Sequence, residues 1–245
     1  MNPADFAILP AESAGDHGPA ENRLAEQLGI ATTNDADGHS ARYLLNYDDA
    51  DRLQLRDRQH PGQKPYAVTF SPRYSSRGSD PLKRALGAGI ESVIDATAGL
   101  GVDAFHLAAT GCQVTAIEAH PVVYALLEDG WRHCTYPEVK SRLHLVQADA
   151  ARWIGQLTSP VPVIYLDPMY PARPGTAAPK KGIRLLQHLV PYDAERDSEL
   201  LRAAMAKVTR RVVVKRPHHA APILPGKSGD TRGKLVRFDI YPPAT

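Results

Sequence analysis

The apolar positions change their period along this chain. Within residues 1–40, rich in Ala, Gly, Asp and Asn, one short helical pattern runs over Ala20–Leu28 through Leu24 and Leu28. From Ala41 to Arg58 the pattern becomes two alternating runs, YLLNY and RLQLR, around the polar turn Asp48-Asp49-Ala50-Asp51, which predicts a β-hairpin. A third extended run, Tyr66–Phe70, stops at Ser71-Pro72. Asp80 before Pro81 has the form of a helix cap followed by proline at the first helical position, so a brief helix is expected over Leu82–Leu86, closed by Gly87 and Gly89.

Beyond Glu91 the alternation becomes regular. SVID, QVTAIE, LHLVQ, VPVIYLD, RVVVK and KLVRFDIY read as strands. Helices are expected between them over Asp103–Thr110, Pro121–Trp131, Ala150–Leu157, Ile183–Val190 and Ser198–Lys207. Strands alternating with helices predict an α/β fold, a doubly wound Rossmann-like sheet that is mostly parallel with its last strand antiparallel. The expected organisation is an acidic, poorly packed leader or small subdomain over 1–40, a small β-containing subdomain with the hairpin over 41–89, and the main domain over 90–245.

Composition narrows the class without naming a function. With 43% hydrophobic and 23% charged residues among 245, the chain is neither wholly disordered nor collagenous nor coiled coil. No run approaches the ~18 apolar residues of a membrane span. The acids Asp5, Glu12, Asp16, Glu21 and Glu26 stand where a secretory signal would carry a basic start and an apolar run, so a cytoplasmic protein is expected. Cys112 and Cys134 have no Cys or His at metal spacing beside them, which suggests neither a disulfide framework nor a metal site.

Charge adds an asymmetry. Residues 1–51 hold ten acids and two bases, so against a net charge of +2 the remainder carries +10. Residues 56–84 have seven bases against two acids, and residues 207–237 have nine bases against Asp230. Such clusters suit a phosphate backbone, and equally a solvated surface.

The candidate chemistry sits where the strands end. SVID finishes at Asp95, and Ala96-Thr97-Ala98-Gly99-Leu100-Gly101 follows before the next helix. Glycines there let the backbone turn sharply and let a ligand approach the helix N-terminus. Gly99, Gly101 and Ala104 also match the dinucleotide pattern G-x-G-x-x-A, although that pattern places its first glycine nearer the strand. An acid ending the first strand, a Gly-x-Gly turn and a second acid, Glu118, ending the second strand resemble class I S-adenosylmethionine-dependent methyltransferases. In that arrangement Glu118 accepts the ribose hydroxyls, Asp95 or Asp103 holds the methionine ammonium directly or through water, and Asp149 accepts from the adenine amine. Each acid could instead cap the helix that follows it.

The fourth strand ends in Asp167-Pro168-Met169-Tyr170-Pro171, which resembles the Asn/Asp-Pro-Pro-Tyr/Phe signature of methyltransferases acting on exocyclic amines, with Met169 replacing the second proline. Proline after Asp167 keeps that acid extended. Its carboxylate then accepts from an amine while Tyr170 stacks on an extruded base. Asp167, Pro168 and Tyr170 are the catalytic candidates.

Six ordered motifs, DATAGLG-x-DAF, E-x-x-PVV-x-ALL-x-DG, YLDPMYP, KK-x-x-R-x-x-Q-x-LV, RVVVKRP and RFDIY, together resemble the bacterial small-subunit ribosomal RNA methyltransferase J family over about residues 64–241. That resemblance implies transfer of a methyl group from S-adenosylmethionine to the N2 amine of guanine 1516 of 16S rRNA, with 16S rRNA or the small ribosomal subunit as partner. It implies cofactor contacts at Val102, Asp103, Glu118, Ala119, Asp149, Ala150 and Asp167, beside Asp95, Gly99 and Gly101. Lys180, Lys181, Arg184, Lys215 and Arg216 are the candidates for RNA phosphates. Val102 stands where members usually carry Arg, and Ala119-His120 where they carry Arg-Asn. The residues themselves leave alternatives open: a methyltransferase acting on DNA adenine or on a small amine, a nicotinamide-dependent oxidoreductase, and a non-catalytic RNA-binding protein.

Overall fold

Two strands, Val161–Leu166 and Val208–Pro217, form the middle of the main sheet, with buried apolar runs at 163–166 and 212–214, because a strand covered on both faces needs apolar residues at consecutive positions. The computed structural model describes residues 1–11, 18–35, 38–71, 80–170 and 181–244, without the side chain of Lys181.

In chain order the elements are β1 (Phe6–Ile8), α1 (Pro19–Leu28), β2 (Ala31–Thr32), β3 (Tyr43–Tyr47), β4 (Leu53–Asp57), α2 (Pro81–Leu86), β5 (Ser92–Asp95), α3 (Val102–Ala109), β6 (Gln113–Glu118), α4 (Pro121–Arg132) and α5 (Pro137–Lys140). There follow β7 (Leu143–Gln147), α6 (Ala150–Gly155), β8 (Val161–Leu166), α7 (Lys181–Leu189), α8 (Ala194–Met205), β9 (Val208–Pro217), β10 (Gly229–Arg232) and β11 (Val236–Tyr241). A short 3-10 turn, Pro3–Asp5, precedes β1.

The main sheet has seven strands in the order β10-β11-β9-β8-β5-β6-β7. Strands β5 to β9 run parallel, while β11 pairs antiparallel with β9 and β10 antiparallel with β11. This is the expected doubly wound sheet, with one more strand at its edge. On one face Val93, Tyr165 and Val213 pack against α2, α3 and α5; on the other Ile94, Ile164 and Val212 pack against α6 and α8. Neighbouring residues of one strand thus serve opposite layers, the period-two rule at work.

The hairpin forms as expected, with Tyr43 opposite Asp57 and Tyr47 opposite Leu53. Asp48 closes its turn by accepting from the amides of Ala50 and Arg52. The extended run after it pairs at one point, Tyr66 with Leu55. The leader, however, is not poorly packed. Phe6, Ala7 and Ile8 are buried, and β1 runs parallel to both β2 and β3 in a four-stranded sheet ordered β2-β1-β3-β4. Three residues are too few to show a period, which is why this strand is silent in the sequence. α8 also begins earlier than expected, because Asp193 accepts from the amides of Glu195 and Arg196 and caps it.

The small sheet is fastened to the large one through α4 and α7. Phe6, Leu45 and Leu55 share a core with Val122, Leu126, Leu185 and Leu189. Asp129 on α4, buried, accepts the Leu53 amide at 3.0 Å and pairs with Arg132 at 2.5 Å. Among the described residues no helix is long and apolar enough to cross a membrane.

Candidate active site

The carboxyl ends of β5, β6 and β8 bring the first group of candidates together. After Asp95 the chain turns through Gly99 and Gly101, whose φ angles of 54° and 75° lie in the left-handed region. Gly101 is doubly constrained, since a Cβ there would lie 2.4 Å from Cδ1 of Leu127. Packing against α4 therefore accounts for this glycine without a dinucleotide.

Glu118 joins two loops. Its Oε2 accepts the Gly99 amide at 2.9 Å and its Oε1 the His120 amide at 2.7 Å. Burial pushes its carboxyl above the ordinary range, opposed by the amides of His120, Gly99 and Ala119. A carboxylate offers about four acceptor directions, so the bonds to the loops leave room for a hydroxyl donor. An acid ending β6 and bonded to Gly99 of the small-residue loop fits the ribose hydroxyls of S-adenosylmethionine.

Asp95 and Asp103 both have partners within the chain. Asp95 is 1% exposed, and its Oδ1 accepts the Thr97 amide at 3.1 Å. Burial, and after it the neighbouring Asp103, push its carboxyl well above the usual range, a poor setting for direct contact with a cofactor ammonium. Asp103, in the first turn of α3, directs Oδ2 to the Tyr165 hydroxyl at 2.8 Å and to Lys215 Nζ at 2.7 Å. A lysine of the chain thus already bonds this carboxylate. Val102, 40% exposed, opens α3 directly after the glycine turn.

Asp167 directly follows β8. Its amide donates to Thr97 Oγ1 at 2.6 Å, and its Oδ2 accepts from Lys215 Nζ at 2.7 Å. Burial raises its carboxyl; Lys215 pulls it back down and Asp103 adds to the rise. Pro168 is buried and Tyr170 half-buried beyond it. Burial, and then Asp167, raise the Tyr170 hydroxyl. Pro171 lies outside the described residues. Thr97, Tyr165 and the inward role of Lys215 are additions to the sequence reading. Strand register would have exposed the last: Leu166 pairs with Val214, so the next residue on each strand is Asp167 and Lys215.

At the far edge, Asp149 caps α6 by accepting the Arg152 amide at 3.0 Å, as the capping alternative held. Its side chain is nevertheless 42% exposed, with Oδ2 only 3.7 Å from Arg196, so it faces the rim of the strand ends. Ala150 follows it, buried in the first turn, and Ala119 lies between Glu118 and His120.

The phosphate candidates are redistributed. Lys180 and the Lys181 side chain lie outside the described residues. Arg184 donates to Gln63 Oε1 at 2.9 Å, in the seam between α7 and the segment after the hairpin. Lys215 faces inward to two carboxylates, which corrects its assignment to phosphate. Arg216 is corrected likewise: it is 6% exposed, its Nη2 donates to Ala221 O at 3.1 Å, and its Nε and Nη1 are buried without a partner among the described residues. The basic run that contains them is no single face either. Lys207 and Arg211 donate to backbone carbonyls, and Lys227 and Arg237 neutralise the buried Asp239.

Comparison with known proteins gives the family of the chain. The SAM-dependent methyltransferase family model matches residues 23–243. Ribosomal RNA small subunit methyltransferase J of Pectobacterium atrosepticum is 37% identical over 96% of this chain and 98% of its own length. The protein of the same name from Halorhodospira halophila is 37% identical over 97% and 94%. That of Alkalilimnicola ehrlichii reaches 48%, over 61% of this chain and 60% of its own. A crystal structure of a SAM-dependent methyltransferase from Neisseria gonorrhoeae superimposes with a TM-score of 0.75 at 28% identity, covering 97% of this chain and 96% of that one.

Proposed function

Because this chain belongs to the ribosomal RNA small subunit methyltransferase J family of SAM-dependent methyltransferases, we propose that it methylates the exocyclic N2 amine of a guanine in 16S rRNA, free or within the small ribosomal subunit, in the cytoplasm. The observation that supports this target most is Asp167, a carboxylate at the end of β8, fixed through Thr97 to the same loop that touches Glu118, and followed by Pro168 and Tyr170.

S-adenosylmethionine supplies an electrophilic methyl group. Glu118 takes its ribose hydroxyls, Asp149 its adenine amine, and the small loop residues around Gly99 make room for the methionine part, with Val102, Asp103, Ala119 and Ala150 lining the same strand ends. The N2 lone pair of guanine is delocalised into the ring and is a poor nucleophile, so positioning carries most of the catalysis. Asp167 accepts an N–H of the amine and draws the nitrogen toward tetrahedral geometry, while Tyr170 stacks on the extruded base. As the new N–C bond forms and the methyl–sulfur bond breaks, its electron pair staying on the sulfur of the departing S-adenosylhomocysteine, the nitrogen becomes cationic and acidic. Its proton then leaves to Asp167 or to water. Arg184, with Lys180 and Lys181, supplies contacts to the RNA backbone.

The test is mass-spectrometric mapping of methylated nucleotides in rRNA from a bacterium lacking its own copy of the gene, with and without this one restored. One N2-methylguanine in 16S rRNA should return. Methylation of another base, or of DNA adenine, would overturn the reading.

A further inference from the structure

We propose that Lys215 is a positioning residue for methyl transfer: by bonding Asp103 and Asp167 at once, it holds Asp167 as an oriented carboxylate at the site of reaction. This rests on the role given to Asp167 above. Strand register brings the pair together, because β8 and β9 run parallel with Leu166 opposite Val214 and the next residues are Asp167 and Lys215. The ammonium lies 2.7 Å from Oδ2 of each acid, and all three side chains are largely shielded from solvent.

The surroundings explain why a cation is needed there. Asp95 on β5, Asp103 on α3 and Asp167 after β8 converge around one lysine, with the Tyr165 hydroxyl on Asp103 and the Arg216 guanidinium and Tyr170 hydroxyl farther out. Burial opposes the lysine's charge, but Asp167 and Asp103 outweigh it and hold its ammonium well above the ordinary value. It therefore stays charged wherever the enzyme works. Without it, two carboxylates that share one proton donor would face each other in a half-buried site, and one of them would take up a proton. A protonated Asp167 loses the charge that meets the developing ammonium. Lys215 also restrains the carboxylate, because it holds Oδ2 and so leaves Oδ1 as the oxygen to accept from the amine. A contact to RNA phosphate needs the opposite orientation.

The experiment combines kinetics with a direct titration. In Lys215→Met, carbon-13 NMR of the Asp167 carboxyl, assigned with Asp167→Asn, should show protonation at a pH about one unit or more above that of the parent. The acidic limb of the kcat profile should move with it. At neutral pH kcat should fall about a hundredfold, while KM for rRNA and the salt dependence of RNA binding stay at parental values. Lys215→Arg should restore much of both. Should Lys215→Met not fold, as judged by thermal unfolding, Lys215→Gln carries the same measurements. An Asp167 titration that does not move would overturn the proposal, as would a loss confined to RNA affinity with a smaller salt slope. If the parent leaves 16S guanine unmethylated, the target reading falls, and the carboxyl titration still decides the role of Lys215.

Discussion

The Thr97 hydroxyl accepts the backbone N–H of Asp167 at 2.6 Å, so the loop after β5 sets the position of the residue that ends β8. Thr97 also donates its own amide to Asp95, which ties the buried acid of one strand to the candidate catalytic acid of the next. Replacing Thr97 by Val keeps shape and removes the acceptor, leaving the Asp167 amide without a partner at a cost of about 1–3 kcal/mol. We expect Thr97→Val to lower stability to denaturant by that amount and to reduce kcat, and Thr97→Ser to retain both. Equal stability of the parent and Thr97→Val in urea would show that the bond contributes nothing.

Glu118 carries the corresponding relationship on the cofactor side. Glu118→Ala removes the acceptor of the Gly99 and His120 amides together with the site for ribose hydroxyls. Bonds to a charged acceptor contribute roughly 1.5–3 kcal/mol, so calorimetry should record a loss of about ten- to a hundredfold in affinity for S-adenosylmethionine. Glu118→Gln keeps a carbonyl and should lose less. Unchanged affinity in Glu118→Ala would place the ribose elsewhere.

Much of this arrangement is legible in the residue pattern. Consecutive apolar residues mark β8 and β9, and a βα alternation puts Asp95, Glu118 and Asp167 at the same edge of a sheet whatever its strand order. The pattern fails where the deciding information is pairing. β1 is three residues long and is a strand because β2 and β3 lie on either side of it. β10 is the polar run GDTR, which shows no apolar period, and forms an edge strand, where charged side chains are common. Lys215 and Arg216 look like members of a basic surface run, but consecutive strand residues face opposite layers. One therefore meets Asp103 and Asp167, and the other is buried beside the chain's own Ala221 carbonyl.

His120 gives the start of α4 a pH dependence. Burial, with the N-terminal ammonium adding to it, lowers the imidazole from 6.5 to about 4. Its Nδ1 accepts the Val123 amide at the start of α4, at 3.4 Å, and protonation removes that acceptor. Since the folded value lies below the unfolded one, the unfolded chain binds more protons between those two values, and this group's contribution to stability rises with pH across that window. Asp197, raised to about 6 mainly by burial, acts in the opposite sense, so the comparison must be between variants. We expect His120→Asn, which can still cap the helix, to gain Tm relative to the parent as pH falls from 6.5 toward 4, and to show no such gain above it. A constant Tm difference between the two proteins across this range would remove His120 as the source.

The sharpest test of the chemistry is Asp167→Asn. The amide is nearly isosteric with the carboxylate and still offers a carbonyl oxygen, so the Thr97 bond to the backbone, the fold and cofactor affinity should persist. What is lost is negative charge facing a nitrogen that turns cationic, and in comparable preorganised sites such a loss costs roughly 2.7–4 kcal/mol, or about a hundred- to a thousandfold in rate. The same change leaves the Lys215 ammonium with Asp103 as its one anionic hydrogen-bond partner among the described residues, adding uncompensated positive charge beside the amine. Both effects slow the chemical step and neither weakens RNA binding. Tyr170→Phe keeps the stacking face and should be mild, whereas Tyr170→Ala should be severe, since base–aromatic stacking contributes about 1–3 kcal/mol. Single-turnover rates with saturating cofactor and rRNA separate the possibilities. A rate for Asp167→Asn close to that of the parent would mean that hydrogen-bond acceptance and positioning suffice, and that the charge at this position is dispensable.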